Sequence, residues 1–148
     1  MSVEGERGYA GDVSVSEAYD QLLKTADAAL VDVRTEPEWQ FVGAPDLTAL
    51  AKAPIFLPWQ VYPLMQTLPN FVEALTKELA RRGIGRDAPL LFLCRSGVRS
   101  KSAAAAMTAA GWTQCYNIVD GFEGPADERR RRGGVAGWKA KGLPWSQS

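Results

Sequence analysis

The chain of 148 residues contains no histidine at all. That absence removes Ser-His-Asp and Cys-His nucleophile pairs, and every zinc site that relies on imidazole. Cysteine is nearly absent too: Cys94 and Cys115 are the whole supply, too few for a disulfide framework or a zinc ribbon. No apolar secretory core lies in the first residues, so a reduced, cytoplasmic setting is expected. Net charge is missing as well. With 17 basic and 17 acidic residues, nothing in the whole chain points to nucleic acid or to an anionic membrane. No apolar run approaches the ~18 residues needed to span a bilayer. There is no internal repeat and no inter-domain linker. What is present is a globular balance, 46% hydrophobic and 23% charged. A chain of this length suits one domain that buries roughly two thirds of its unfolded surface.

Residues 1–12 are polar and glycine-bearing, and are expected to form a flexible arm whose end joins a sheet edge near Tyr9–Val13. Residues 13–148 then form the single domain. Ser14 and Glu17 fit a capping box, followed by Ala18, Tyr19, Leu22 and Leu23 at helical spacing. Residues 28–34 form an apolar run without surface alternation, as in a buried parallel strand, and it ends in Asp32 and Arg34. A short helix opens at Glu36-Pro37. From Gly43 to Pro69, five prolines interrupt the pattern, and Ile55-Phe56-Leu57 is its one good strand candidate. Trp59, Val61, Tyr62, Leu64 and Met65 either cover the core or rim a site. Residues 70–82 read as a helix with Phe71, Leu75 and Leu79 on one side, Asn70 at its N-cap and Gly83 at its C-cap. A strand at 90–93, a helix to about Ala110, a strand at 114–119 and a short helix after Gly137 complete the chain. Alternation of strands and helices predicts an α/β domain with a parallel sheet of about five strands.

The most informative stretch is Cys94-Arg95-Ser96-Gly97-Val98-Arg99-Ser100. It follows the apolar Leu90-Leu91-Phe92-Leu93 and precedes an alanine-rich helix. A cysteine therefore sits where a strand ends, on a tight loop that opens a helix. Curled into a cup, such a loop points its backbone N–H groups inward, and the helix N-terminus adds partial positive charge. A free thiol has a pKa of about 8.5, and settings of this kind lower it to roughly 3.5–7.5. Cations at a helix N-terminus are disfavoured by the dipole, so Arg95 and Arg99 ask for an anionic ligand. Ser96 and Ser100 are either caps or hydrogen-bond donors to the sulfur. With no histidine available, loop dipoles and arginines must activate Cys94. Cys115, inside a strand, is expected to be a core thiol, with a resolving role for an oxidised Cys94 as the alternative. The run Arg129–Arg132 follows Asp127 and Glu128 and reads as a solvated turn. Trp138 and Trp145 read as packing anchors for the C-terminal segment.

These pieces carry a family likeness. Val31-Asp32-Val33-Arg34 with Glu38 and Trp39, then Leu93 to Ser100, then Asn117-Ile118-Val119-Asp120-Gly121-Phe122, and last Gly137-Trp138 leading to Gly142-Leu143-Pro144, occur in one order over residues 14–145. Together they resemble a single rhodanese domain of the sulfurtransferase superfamily. The resemblance implies a three-layer α/β sandwich, with a five-stranded parallel sheet and helices on both faces. It implies that Cys94 accepts a sulfane sulfur as a persulfide and passes it to a thiol or cyanide-like acceptor. The amides of Arg95, Ser96, Gly97, Val98 and Arg99 would cradle that sulfur, and Arg95 and Arg99 would steer a small anionic donor such as thiosulfate. Asp32, Arg34, Glu38 and Ser100 would support the loop. The chemistry needs a reactive thiol, a cradle for an anionic sulfur and a charge to bind the donor. It calls for no metal, no cofactor, no nucleic acid and no membrane. One departure from the family stands at Gly43-Ala44-Pro45-Asp46-Leu47, where a glycine-histidine-isoleucine turn is usual.

Two other readings compete. Related cysteine phosphatases use the same strand-loop-helix with five residues between Cys and Arg, whereas four separate Cys94 from Arg99 here. That shorter loop suits a sulfur atom better than a phosphate or an arsenate. A persulfide carrier that docks on a partner protein is the other reading, supported by the aromatic segment 59–65.

Overall fold

The structure, a computed structural model, describes residues 8–61, 66–124 and 137–147. Its centre is a five-stranded sheet of β1 (Gly11–Val13), β2 (Ala29–Asp32), β4 (Ile55–Phe56), β7 (Leu90–Leu93) and β8 (Cys115–Ile118). The order across the sheet is β1-β8-β7-β2-β4, and every pairing is parallel. β7 lies in the middle. Its four residues are at most 1% exposed, which explains why Leu90-Leu91-Phe92-Leu93 shows no polar alternation. Neighbouring residues still point to opposite faces. Leu90 and Phe92 join Val31, Ile55, Phe71, Leu75, Leu79 and Met107 in one core, while Leu91 and Leu93 join Leu30, Val15, Leu22, Ile118 and Trp138 in the other.

The helices follow from the same pattern. α1 (Val15–Lys24) begins with the expected capping box: the Glu17 amide donates to Ser14 Oγ at 3.1 Å, and the Ser14 amide donates to Glu17 Oε1 at 2.8 Å. It buries Val15, Ala18 and Leu22 against one sheet face. α2 (Glu36–Phe41) is short and buries no residue fully. α3 (Phe71–Arg81) buries Phe71, Leu75 and Leu79, and α4 (Val98–Ala109) buries Ala103, Ala104 and Met107, both on the other face. Asn70 holds the N-cap position of α3 without a side-chain capping bond.

Three expectations change. Instead of a flexible arm over 1–12, residues 8–12 pack with the domain, with Tyr9 1% exposed and residues 11–13 paired with β8; residues 1–7 lie outside the described part. The pairing of residues 11–13 is the sheet edge expected near Tyr9–Val13. Next, no helix follows Gly137. Residues 138–142 form turns, since Gly142 and Pro144 end any helical run, and β9 (Trp145–Ser146) pairs antiparallel with β3 (Ala44–Pro45). Trp138 is the anchor foreseen, fully buried, edge-on to Tyr19 and donating its indole N–H to the Pro144 carbonyl at 2.7 Å. Lastly, the irregular segment holds a small antiparallel pair of β5 (Gln60–Val61) and β6 (Gln66–Thr67) that two-residue strands rich in glutamine do not announce. Trp59 covers the core, edge-on to Phe71 at 5.0 Å, whereas residues 62–65 and the run Arg129–Arg132 fall outside the described residues. Among the described residues no helix is long and apolar enough to cross a membrane.

The buried Tyr9 gives a direct check of the revised boundary. Tyr9→Ala should lower stability by about 3 kcal/mol, as for other large aromatic truncations in a core. Urea unfolding that leaves the midpoint unchanged would return residues 8–12 to the arm.

Candidate active site

Cys94 leaves the carboxyl end of the central strand, the edge of an open α/β sheet where ligands gather. The chain then turns through Arg95, Ser96 and Gly97 into α4. Gly97 makes the turn possible: its φ is +102°, and a Cβ there would stand 2.3 Å from the Val119 carbonyl oxygen. In this shape the Gly97 N–H donates to Cys94 Sγ at 3.0 Å.

The turn after β8 holds the loop from outside. The Phe122 amide donates to the Cys94 carbonyl at 2.8 Å, and the Glu123 and Gly124 amides donate to the Arg95 carbonyl at 3.0 and 3.1 Å. Gly121 lies so close beneath that any side chain would meet the Arg95 carbonyl at 2.5 Å. With two loop carbonyls taken up by that turn, the Gly97 N–H is the loop group that faces the sulfur.

Asp32 and Arg34, both fully buried, stand behind this clasp. Arg34 Nε donates to Asp32 Oδ1 at 2.9 Å, and Nη2 donates to Asp32 Oδ2 at 2.7 Å and to the Gly43 carbonyl at 2.9 Å. Its guanidinium lies 4.2 Å from the centre of the Phe122 ring. The pair thus seats the residue whose amide holds Cys94.

Glu38 ties the far end of the loop. Its carboxylate accepts from Arg99 Nη1 at 2.7 Å and Nη2 at 3.0 Å, a bidentate pair. The same carboxylate accepts from the Thr35 amide at 3.1 Å and hydroxyl at 3.0 Å, closing a capping box on α2. Burial alone would raise the Glu38 pKa, but the Arg99 hydrogen bonds and charge, with the Thr35 bonds, hold it below the ordinary 4.5. Burial likewise opposes charge on Arg99, and Glu38 overrides it and raises the Arg99 pKa.

A cavity of about 540 Å³ opens above the loop, lined by Cys94, Arg95, Ser96, Val98, Arg99 and Glu38, with Val42, Gln60 and Glu123. Cys94 is its floor at 1% exposure, and Arg95 and Val98 stand exposed on its rim. Of the two arginines expected to steer an anion, Arg95 is at the rim and Arg99 is held by Glu38. Gln60, Val42 and Glu123 were not foreseen, because they come from the irregular segment, the end of α2 and a turn, each without a pattern of its own. A larger cavity of about 710 Å³ lies against α3 and does not touch the loop.

Ser100, 0% exposed, stands beneath the sulfur with its Oγ 3.2 Å from Cys94 Sγ. Cys115 is buried and forms no disulfide with Cys94, its Sγ 3.7 Å from the Trp112 carbonyl. Among the described residues no group of three or more thiol, imidazole or carboxylate side chains is placed to hold a metal ion. The arrangement offers a buried thiol, the Gly97 N–H directed at it and a small partly apolar mouth.

Comparison with known proteins bears on the family and the fold. A family model described as the STR4 middle domain matches residues 10–148. The uncharacterized protein RC0915 of Rickettsia conorii is 40% identical over 134 residues, covering 90% of this chain and 95% of its own length. The thiosulfate sulfurtransferase GlpE of Actinobacillus succinogenes is 24% identical, covering 90% of this chain and 87% of that protein. Among solved structures, Rv0390 from M. tuberculosis superposes with a TM-score of 0.84 at 44% identity, covering 95% of this chain and 99% of that one. A rhodanese-like domain protein from Staphylococcus aureus shares the fold, with a TM-score of 0.54 at 16% identity over 93% of this chain and 98% of that one.

The Glu38–Arg99 pair is testable through pH. The folded state holds Glu38 ionised to lower pH than the unfolded state does, so the pair's stabilisation is complete above about 4.5 and is lost as pH falls through the folded value. Glu38→Gln should cost about 1–3 kcal/mol near pH 7, and the gap from wild type should shrink in acid. A gap of equal size at about pH 3 and pH 7 in urea titrations would contradict this assignment.

Proposed function

The chain belongs to the rhodanese-like family of sulfurtransferase domains, and from that premise we propose that it moves a sulfane sulfur from a small donor to a thiophilic acceptor through a persulfide on Cys94. The observation that carries this reading is the Gly97 N–H directed at Cys94 Sγ within a loop that leaves only four residues between Cys94 and Arg99. A ring of this size fits one sulfur atom and its extra negative charge.

In the first step the Cys94 thiolate attacks the outer sulfur of the donor. A sulfur–sulfur bond forms to Sγ, the donor's own sulfur–sulfur bond breaks, and its electron pair departs with sulfite when the donor is thiosulfate, or with a thiolate when the donor is a persulfide. In the second step the acceptor, a thiol or a cyanide-like anion, attacks the outer sulfur and the bond to Sγ breaks, which restores the Cys94 thiolate. Inward amides of residues 95–99 meet the charge on the outer sulfur, and no proton has to be taken by a base. Exposed Arg95 gives an anionic donor its first electrostatic contact, while Glu38 keeps Arg99 fixed at the wall. The buried Asp32–Arg34 pair and Glu38 act as supports for the loop. A cytoplasmic setting, where small-molecule thiols are abundant, fits this chemistry.

The test is incubation with thiosulfate followed by intact-protein mass spectrometry. Wild type should gain about one sulfur mass, ~32 Da, removable with cyanide or dithiothreitol, and Cys94→Ala should gain none. Absence of the adduct with thiosulfate, mercaptopyruvate and a cysteine persulfide would overturn the proposal. Turnover of a phosphotyrosine mimic in its place would favour a phosphatase.

A further inference from the structure

Behind Cys94 a line of polar side chains crosses the sheet to its edge strand. Ser100 Oγ donates to Asn117 Oδ1 at 2.6 Å, Asn117 Nδ2 donates to Asp12 Oδ1 at 3.1 Å, and the Tyr9 hydroxyl donates to that same oxygen at 2.7 Å. Asn117 is 2% exposed and is a polar residue among the buried apolar ones of β8, while Asp12 is exposed on β1. The mechanism above uses none of Asn117, Asp12 or Tyr9.

The direction of each bond follows from the donor inventory. An ionised carboxylate only accepts, so the Asn117 amide must turn its nitrogen to Asp12 and its oxygen to Ser100. The Ser100 hydroxyl has one proton, and the amide oxygen takes it. What Ser100 then presents to Cys94 Sγ, 3.2 Å away, is an oxygen lone pair. A sulfur that gains negative charge is better served by the O–H itself.

We propose that Asp12 and Asn117 are positioning residues for Cys94: the surface carboxylate fixes the amide, the amide turns the Ser100 proton away from the sulfur, and reactivity at Sγ rises when that proton is released to face it. Asp12→Asn makes the release possible. An amide nitrogen at residue 12 can donate to the Asn117 oxygen, so the Asn117 amide can reverse, its nitrogen can donate to Ser100 Oγ, and the Ser100 hydroxyl can donate to Sγ. The inference rests on Cys94 being the reacting sulfur, and it deepens the sulfur-transfer reading without using any sulfur donor in its test.

The experiment is the second-order rate of Cys94 alkylation by iodoacetamide at fixed neutral pH, followed by peptide mass mapping so that buried Cys115 is scored separately. Asp12→Asn should react about fivefold faster than wild type, the change in rate that one redirected hydrogen bond supplies. Asp12→Ala, which also frees the amide, should change in the same direction. Asp20→Asn, which removes an equal charge from the exposed side of α1, should match wild type. In a Ser100→Ala background the Asp12 effect should vanish, because the last link is gone. An unchanged rate in both Asp12 variants would overturn the proposal. So would a rise that persists in full with Ser100→Ala, since that is the signature of a lost charge acting through space. Failure of sulfur loading with these alkylation results intact would strike the transfer reading alone.

Discussion

The buried ion pair of Asp32 and Arg34 is the interaction on which the site's shape depends. Both side chains are shut away from water, so each charge needs the other. A pair of this kind adds little net stability compared with apolar residues of the same size, yet losing one partner leaves an unpaired buried charge at a cost of about 3–5 kcal/mol. Its contribution here is geometric. Arg34 reaches from the end of β2 to the Gly43 carbonyl on one side and to the Phe122 ring on the other. Phe122 in turn donates its amide to the Cys94 carbonyl. Three strand ends, those of β2, β7 and β8, are thereby locked to one another around a single sulfur atom.

The electrostatics of the mouth are more balanced than two arginines in the loop suggest. Glu38 and Glu123 share the cavity with Arg95 and Arg99, two charges of each sign. Arg99 is committed to Glu38 in a bidentate pair only partly open to water, with the two side chains 15% and 18% exposed. It therefore works chiefly as wall and loop anchor. The positive potential beside Cys94 comes from the Gly97 amide, from the start of α4 and from Arg95 at the rim.

Much of this was legible in the residues. The unbroken apolar runs at 28–34 and 90–93 meant strands buried on both faces, and the alternation with helices meant a parallel sheet, because those patterns arise from local burial. Cys94 and its loop were legible because a strand, small polar residues and an alanine-rich helix meet there. Asp32 and Arg34 stood out as charges ending a buried strand, and Glu38 through the family likeness, although their partners did not: Arg34 meets Gly43 and Phe122, and Glu38 meets Arg99 from 61 positions away. Long-range pairing of this sort leaves no periodic trace. The sheet edge near Tyr9–Val13 was legible, whereas the paired strands at 60–61 and 66–67 were hidden by their brevity. Helical spacing after Gly137 misled because turns held by Trp138 use the same residues. Asn117 did carry a signal, a lone amide in a buried strand, whose meaning appears only when β8 is set beside β1 and α4.

The central claim is that the outer sulfur of a donor becomes bonded to Cys94. Thiosulfate carrying radiosulfur in its outer position alone, given to the protein without an acceptor and followed by separation of protein from small molecules, tests it most directly. The account predicts label on the Cys94 peptide, release of an equal amount of unlabelled sulfite, and no label in Cys94→Ala. Label recovered in sulfite, or label bound equally by the Cys94→Ala protein, would contradict it.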